Sequence, residues 1–438
     1  MTEGGNWPPE IEADFERVSP LGKGAFGVVW LAKAKNNHAV VNYDDASVDS
    51  DEKEDMFRST QQAAKYPKYV AIKQIRASNE EEILYANREI TILREVDHPN
   101  IVRCLQSVDM KNSRLVVLTL ANGPNLGELV DAGGALSVSL ARLSARHLIA
   151  AVSYLHSRGV IHRDIKPDNC IMMKTDDSLI QKQTKEDWMT NDALWDDKAV
   201  FTNEFRLVLV DFGFAKALTP KEVGLERDSF RQASVRSFVQ RTIEEKGDVV
   251  TIAKDNPQKA KARTATKLSK LHRAMSALGT RNYAAPEVQR VRDKNDGETA
   301  LAAYVADYGL ISDAYSVGAT IKMILTGVPA GENEMAFISA NDRAIGNILD
   351  AICGCRKKNS RKRRKRYKFL DEAPKPAREL VGKLLKVREE ERLTVPFARE
   401  EPWIKGGTDK DDPVIELPAG DINAGNDDPI VCLKCAGN

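Results

Sequence analysis

The sequence predicts an α+β chain with a small β-rich N-terminal lobe and a larger helical C-terminal lobe, enlarged by several surface insertions. Three observations carry this reading. Up to about residue 120 the apolar stretches are short, rich in β-branched residues and punctuated by glycine. From about residue 136 the apolar spacing becomes helical. Polar or highly charged stretches interrupt both parts, and such insertions are tolerable because loop-closure cost grows slowly with length. Strands first and helices after imply two lobes with a cleft between them.

The elements run in this order. RVSPLGKGAFGVVWLAKAK, residues 17–35, reads as strand, glycine turn, strand. YVAIKQI, residues 69–75, is the next strand signal, and the polar, acidic segment between the two reads as an inserted loop. Residues 79–96 have helical spacing, with Ile83, Ala86, Ile90 and Leu93 on one stripe. RLVVLTL, residues 114–120, reads as a buried strand ending in the turn-forming NGPN. Residues 137–159 form a long apolar-faced helix that stops at Gly159, and 304–328 and 377–387 are helical by pattern. The organisation is thus an extension over 1–14, one domain over 15–404 and a polar tail over 405–438. The N-lobe takes about 15–120 and the C-lobe about 125–404, with inserts near 36–68, 173–203, 220–275 and 351–371.

Composition excludes more than it assigns. The formal net charge of +1 arises from 65 basic and 64 acidic side chains, so no global field commits the chain to nucleic acid. Local charge is uneven: residues 44–55 hold seven acids against one lysine, and residues 356–368 hold ten basic side chains and no acid. The N-terminus has acids and prolines where a signal peptide needs a basic start and an apolar run, and no window is apolar enough for a membrane span. The expectation is an intracellular protein, in the cytoplasm and, through the basic run, the nucleus. Six cysteines over 438 residues do not suggest a disulfide scaffold. Cys353, Cys355, Cys432 and Cys435 form two close pairs that could make a four-thiolate zinc site, but the first spacing is too tight, and isolated thiols are the better reading.

Several polar motifs carry chemistry. GKGAFG, Gly22 to Gly27, is a glycine loop whose amides can approach phosphates, but the next residues, VVWLAK, prefer strand, not the helix of a dinucleotide fold. Lys73 lies on a strand beside apolar neighbours that would hold its stem, and Glu89 is the acid that could hold its ammonium. In HRDIKPDN, Asp164 is of the type to orient and deprotonate a hydroxyl, Lys166 to neutralise a phosphoryl group in flight, and Asn169 to offer an amide oxygen to a divalent cation. An apolar strand then ends in Asp211 at a glycine turn, and GTRNYAAPE closes the series at 279–287.

These motifs resemble the signature set of the eukaryotic protein kinases: GKGAFGV at 22–28, AIK at 71–73, Glu89, HRDIKPDN at 162–169, DFG at 211–213 and APE at 285–287. The resemblance implies a bilobal kinase-like fold and ATP with Mg2+ as cofactors. It implies nucleotide contacts from Leu21, Gly22, Gly24, Gly27, Val28, Ala71 and Lys73, with Leu118 as gatekeeper, Thr119 to Ala121 as hinge and Glu128 at the ribose. Lys73 would hold phosphates and pair with Glu89, Asn169 and Asp211 would hold magnesium, and Asp164 would be the catalytic base. Asp313 looks like the aspartate that starts the large C-lobe helix, and Arg392 like the arginine that pairs with Glu287. His162 would be structural; His147 and His156 read as surface or satisfied partners. Lys166, braced with Asp164 by Thr280, resembles the serine/threonine branch. A pseudokinase, binding without catalysis, is the alternative, and it is disfavoured because none of Lys73, Asp164 or Asp211 is lost.

The same resemblance makes Ser276 the candidate phosphosite, by an upstream kinase or by autophosphorylation, with Arg163 as the guanidinium that would receive its phosphate. Thr264, Thr266 and Ser269 are rivals. Protein substrates carrying Ser or Thr are the implied partners. The run 356–368 has the density of an import signal or of a contact for nucleic acid or anionic lipid, though the lack of interleaved aromatics argues against base stacking.

Overall fold

The structure is a computed structural model, and it describes residues 7–23, 27–35, 66–174, 205–219, 282–293, 309–335, 337 and 367–406. These divide into two compact units, one of residues 1–94 with 102–121 and one of 95–101 with 122–438. Residues 95–101, which the sequence places in the N-lobe, therefore go with the second unit.

The first unit is built on a five-stranded antiparallel sheet of order β1-β2-β3-β5-β4. Its strands are β1 (Phe15–Lys23), β2 (Gly27–Ala34), β3 (Tyr69–Arg76), β4 (Cys104–Asp109) and β5 (Ser113–Thr119). Pro20 is tolerated because β1 is an edge strand. One face of the sheet buries Ala32, Ala34, Val70, Ile72, Leu115 and Val117. Against them pack Trp7, Ile11 and Phe15, so the polar-looking stretch before residue 15 contributes to the core. It does so through a short helix, α1 (Pro9–Asp14), with Ile11 wholly buried. Arg17 lies over the rings of both Trp7 and Trp30, 4.4 and 4.6 Å from their centroids.

Helix α2 (Glu80–Glu95) starts where the sequence supplies a cap: the Asn79 side chain accepts from the Glu82 amide at 2.9 Å, and the Glu82 carboxylate accepts from the Ser78 amide at 2.8 Å. Its buried stripe includes Ala86, Ile90 and Leu93, as the spacing requires.

The second unit is mainly helical. It contains α3 (Leu126–Gly133), α4 (Val138–Ser157), α5 (Pro286–Asp293), α6 (Leu310–Thr326), α7 (Lys375–Leu384) and the short α8 (Val395–Ala398) and α9 (Pro402–Lys405). Ser137 caps α4 by accepting from the Leu140 amide at 3.2 Å. Beyond its other end Gly159 takes a positive φ of 67°, the left-handed conformation that glycine adopts without penalty. Helix α6 stops in the same way at Gly327, with φ 75°. Two small ladders complete the unit: β6 (Val160–Ile161) with β9 (Lys216–Ala217), and β7 (Cys170–Lys174) with β8 (Phe205–Leu209). Strand β7 continues to Lys174, just past the expected start of the insert at 173. Among the described residues no helix is long and apolar enough to cross a membrane.

Candidate active site

In the first unit, strand register decides which side chains share a face. Across β2, β3 and β5, Val29 stands opposite Lys73 and Lys73 opposite Val116, while Leu31 stands opposite Ala71 and Ala71 opposite Leu118. Trp30, Ile72 and Val117 alternate onto the other face, with α1. Ala71, Lys73 and Leu118 therefore line one face together. Val28 does not join them. It pairs with Gln74 and shares the face of Trp30 two residues on, so Val29 is the residue across from Lys73; a displacement of one residue exchanges the faces.

The Lys73 ammonium donates to Glu89 Oε1 at 2.6 Å, and both side chains are buried. A glutamate on the polar side of α2 is thus drawn into the interior by the lysine of β3, and the pair is a charge-assisted contact with its geometry fixed by two elements. Thr119 is already engaged: its hydroxyl accepts from the Arg103 amide at 3.0 Å. Leu21, Gly22 and Gly27 border the glycine turn in β1 and β2. Gly24 lies outside the described residues, as does Thr280.

In the second unit, the segment between β6 and β7 carries His162, Arg163, Asp164, Lys166 and Asn169, and one buried carboxylate holds it. Asp313, in the first turn of α6, accepts from the amide of His162 at 2.9 Å and from that of Arg163 at 3.0 Å. Arg163 has a φ of 69°, an uncommon conformation for a side chain of its size, and the Asp313 contact is what offsets that cost. His156 also contacts Asp313, at 3.1 Å. His156 and His147 are both buried on α4 and are not surface residues; Nε2 of His156 meets Asp313, while its Nδ1 is buried without a partner among the described residues.

His162 is held as the neutral Nε2–H tautomer. Its Nδ1 accepts from the Asp164 amide at 3.3 Å and its Nε2 lies 3.3 Å from the Val210 carbonyl. Burial pushes its pKa down, which suits that neutral role. Its ring also meets Phe212 edge-on at 5.0 Å.

Asp164 is nearly fully buried. Burial raises its pKa, and the Lys166 ammonium, 2.8 Å from Oδ2, opposes the rise. The Asn169 amide nitrogen donates to Asp164 twice, to the main-chain oxygen at 2.7 Å and to Oδ2 at 2.8 Å. Both contacts use the nitrogen, so Oδ1 is the atom that Asn169 can offer a cation.

The β7–β8 ladder brings Asp211 to the same end. Cys170 pairs with Leu209, and the Val210 amide donates to the Asn169 carbonyl at 2.9 Å, leaving Asp211 one residue further on. Asp211 has a φ of 62°, a conformation aspartate tolerates, and its Oδ1 accepts from the Gly213 amide at 3.3 Å. A carboxylate and an amide oxygen at one end of one ladder suit a hard, oxygen-binding cation such as magnesium. The groups fit the metal that the resemblance implies. Among the described residues no cluster of three or more His, Cys, Asp or Glu suited to a metal occurs, and the four cysteines of the zinc reading lie outside them.

Glu128 sits in α3 as part of a cap. Its carboxylate accepts from the Asn125 amide at 3.0 Å while Asn125 Oδ1 accepts from the Glu128 amide at 2.8 Å. One oxygen of Glu128 is therefore committed to the helix terminus. Further on, Arg392 clamps Glu287 through two bonds of 2.7 and 2.9 Å, the pair expected from the sequence. Burial alone would raise the Glu287 pKa, but the guanidinium holds it below the usual carboxylate value.

A family model described as protein kinase domain matches residues 57–234. The stretch includes Lys73, Glu89, HRDIKPDN and DFG. Over that stretch the chain is similar to the protein kinase domain. The relatives it resembles are named as serine/threonine-protein kinases. CBL-interacting serine/threonine-protein kinase 9 of Arabidopsis thaliana is 30% identical over 188 residues, covering 41% of this chain and 36% of that protein. CBL-interacting serine/threonine-protein kinase 16 of the same plant is 42% identical over 85 residues, 19% of this chain and 18% of that protein. The probable serine/threonine protein kinase IREH1, also from Arabidopsis, is 24% identical over 316 residues, 72% of this chain and 18% of that protein. The chain thus spans well under two thirds of the length of these relatives.

Proposed function

We propose that the chain transfers the γ-phosphoryl group of ATP to serine or threonine hydroxyls of protein substrates. The observation that carries this reading is the buried Asp164–Lys166–Asn169 cluster, anchored through the Asp313 carboxylate. The Lys73–Glu89 pair supports it from the other unit.

In this reading Asp164 accepts the proton of the substrate hydroxyl and orients its oxygen, and Lys166 stabilises charge on the transferring group. Lys73 holds the nucleotide phosphates, with Glu89 fixing the ammonium, and Thr280 braces Asp164 and Lys166. Asn169 and Asp211 hold magnesium, which when bound neutralises phosphate charge and orients the reacting oxygens. Leu21, Gly22, Gly24, Gly27, Ala71, Leu118, Thr119, Ala121 and Glu128 are the proposed nucleotide contacts. Val29, across from Lys73, takes the place that the resemblance gave to Val28.

Phosphorylation of Ser276, by an upstream kinase or by the chain itself, is the proposed activating event, with Arg163 receiving the phosphate. The run 356–368 is the proposed segment for nuclear import or for contact with nucleic acid or anionic lipid, consistent with an intracellular protein.

The test is transfer from labelled ATP with magnesium to generic Ser/Thr and Tyr substrates, comparing the unaltered chain with Asp164→Asn. The expected result is transfer to Ser or Thr, reduced about 10²- to 10⁴-fold in the variant. Undiminished transfer by Asp164→Asn would remove Asp164 from its role. A chain phosphorylated at Ser276 that binds ATP yet transfers nothing would establish a binding-only protein.

A further inference from the structure

A polar arrangement on the first unit is not used by the proposed reaction. Arg17 stands on β1 opposite Ala32 of β2, on the sheet face that α1 covers. Its guanidinium carbon lies 4.4 Å from the centroid of the Trp7 ring and 4.6 Å from that of Trp30. Two ring contacts at these distances occupy the faces of a planar cation and leave its edge, where the N–H groups point, as the part that binds.

The same two rings each carry a donor. Nε1 of Trp7 and Nε1 of Trp30 are both buried, and among the described residues neither has a hydrogen-bond partner. Trp7 as a whole is 4% exposed, so its donor stands in a desolvated setting. An indole N–H can only donate, and a buried one usually finds an oxygen. One planar cation and two N–H donors in a single stack suit a carboxylate, which offers two accepting oxygens in one plane and one negative charge.

The chain itself brings such groups to this place. The segment between β2 and β3 leaves at Lys35, whose amide donates to the Asp14 carbonyl at 2.9 Å, and returns at Tyr66, whose ring centroid lies 4.7 Å from that of Phe15. Phe15 is two residues from Arg17 on β1, so both ends of the segment start on the order of 10 Å from the stack. Within the segment, residues 44–55 hold seven acids against one lysine. The nine residues from Lys35 to Asp44 reach up to about 30 Å when extended, so length is no obstacle. Charges on the neighbouring stretches are mixed, with Glu12, Asp14 and Glu16 against Lys33 and Lys35. The stacked donors, and not a net field, therefore select the carboxylate.

We propose that Trp7, Arg17 and Trp30 form a carboxylate-binding site on the first unit, and that its occupant is the acidic run 44–55 of the same chain.

The experiment labels the full chain with 15N at tryptophan and follows the indole N–H signals of its five tryptophans by NMR, those of Trp7 and Trp30 being assigned with Trp7→Phe and Trp30→Phe. The unaltered chain is compared with a variant in which the seven acids of 44–55 are replaced by Asn or Gln. A synthetic peptide of residues 44–55 is then added to each. The site requires that neutralisation move the Trp7 and Trp30 signals upfield, as a bond to a carboxylate is lost, while the other tryptophans stay. It also requires that the peptide return those two signals saturably in the variant and leave them unmoved in the unaltered chain. Arg17→Gln, made in the neutralised chain, should weaken the peptide at least about tenfold. Arg17→Lys should weaken it too, because an ammonium neither stacks nor binds in a fork. Identical Trp7 and Trp30 signals in the unaltered and neutralised chains overturn the run as occupant. An equal response of both chains to the peptide overturns occupancy by the same chain and assigns the site to an acidic segment of another. A peptide without effect on either chain, or undiminished by Arg17→Gln, overturns the site itself.

Discussion

Single residues decide most at Arg392. Its side chain is fully buried, it reaches Glu287 with two nitrogens, and it also bonds the carbonyls of Ile311 and Lys386. Removing one partner of such a pair leaves a buried charge uncompensated, so Arg392→Ala is expected to cost about 3–5 kcal/mol. Urea unfolding measures this, and a loss below about 1 kcal/mol would mean that water replaces the guanidinium. Residue identity was also where the sequence was most legible. Lys73, Glu89, Asp164, Asn169 and Asp211 were legible because they stand, in order, in the motif set that the chain resembles. The glycine-loop valine was misplaced because a motif read by counting does not show a face; only pairing with Lys73 does. The burial of His156 was hidden for a different reason. Its partner Asp313 lies 157 residues away, and no local pattern reports that distance.

At the level of elements, the strands and helices that bury one regular stripe were readable, and those that do not were missed. Strand β4, CLQSVD, escaped because an edge strand with every residue partly exposed or exposed lacks a clean alternation. Helix α1, PEIEAD, escaped because a single apolar side chain in six residues gives no period. Yet α1 has energetic weight through what it carries. Trp7 and Ile11 are buried on the sheet with Phe15, so Trp7→Ala should destabilise the first unit by about 3–5 kcal/mol. Thermal unfolding tests this, and an unchanged melting curve would show that the sheet face is stable without that cover.

For the whole molecule, the two depressed histidines give stability a pH dependence. Burial holds His98 and His147 near about 4, with Arg399 adding to the effect at His98 and Arg146 and Arg206 at His147. Above the ordinary value of about 6.5 both rings are neutral whether the chain is folded or not. Between 6.5 and 4 the unfolded chain takes up protons that the folded chain refuses. Stability therefore falls with pH across that window, by up to about 1.4 kcal/mol per unit for each ring. Urea unfolding at pH 7 and pH 5 should show the drop, and His147→Gln should reduce it; an equal drop in the variant would assign the effect to other groups. A last consequence concerns the stretch from His162 to Asn169, which has little regular structure. Two of its amides end on Asp313, a carboxylate inside the helical unit. In hydrogen–deuterium exchange those two protons should therefore persist with those of α6, so that a loop by shape would be counted with the slowest-opening part of the unit.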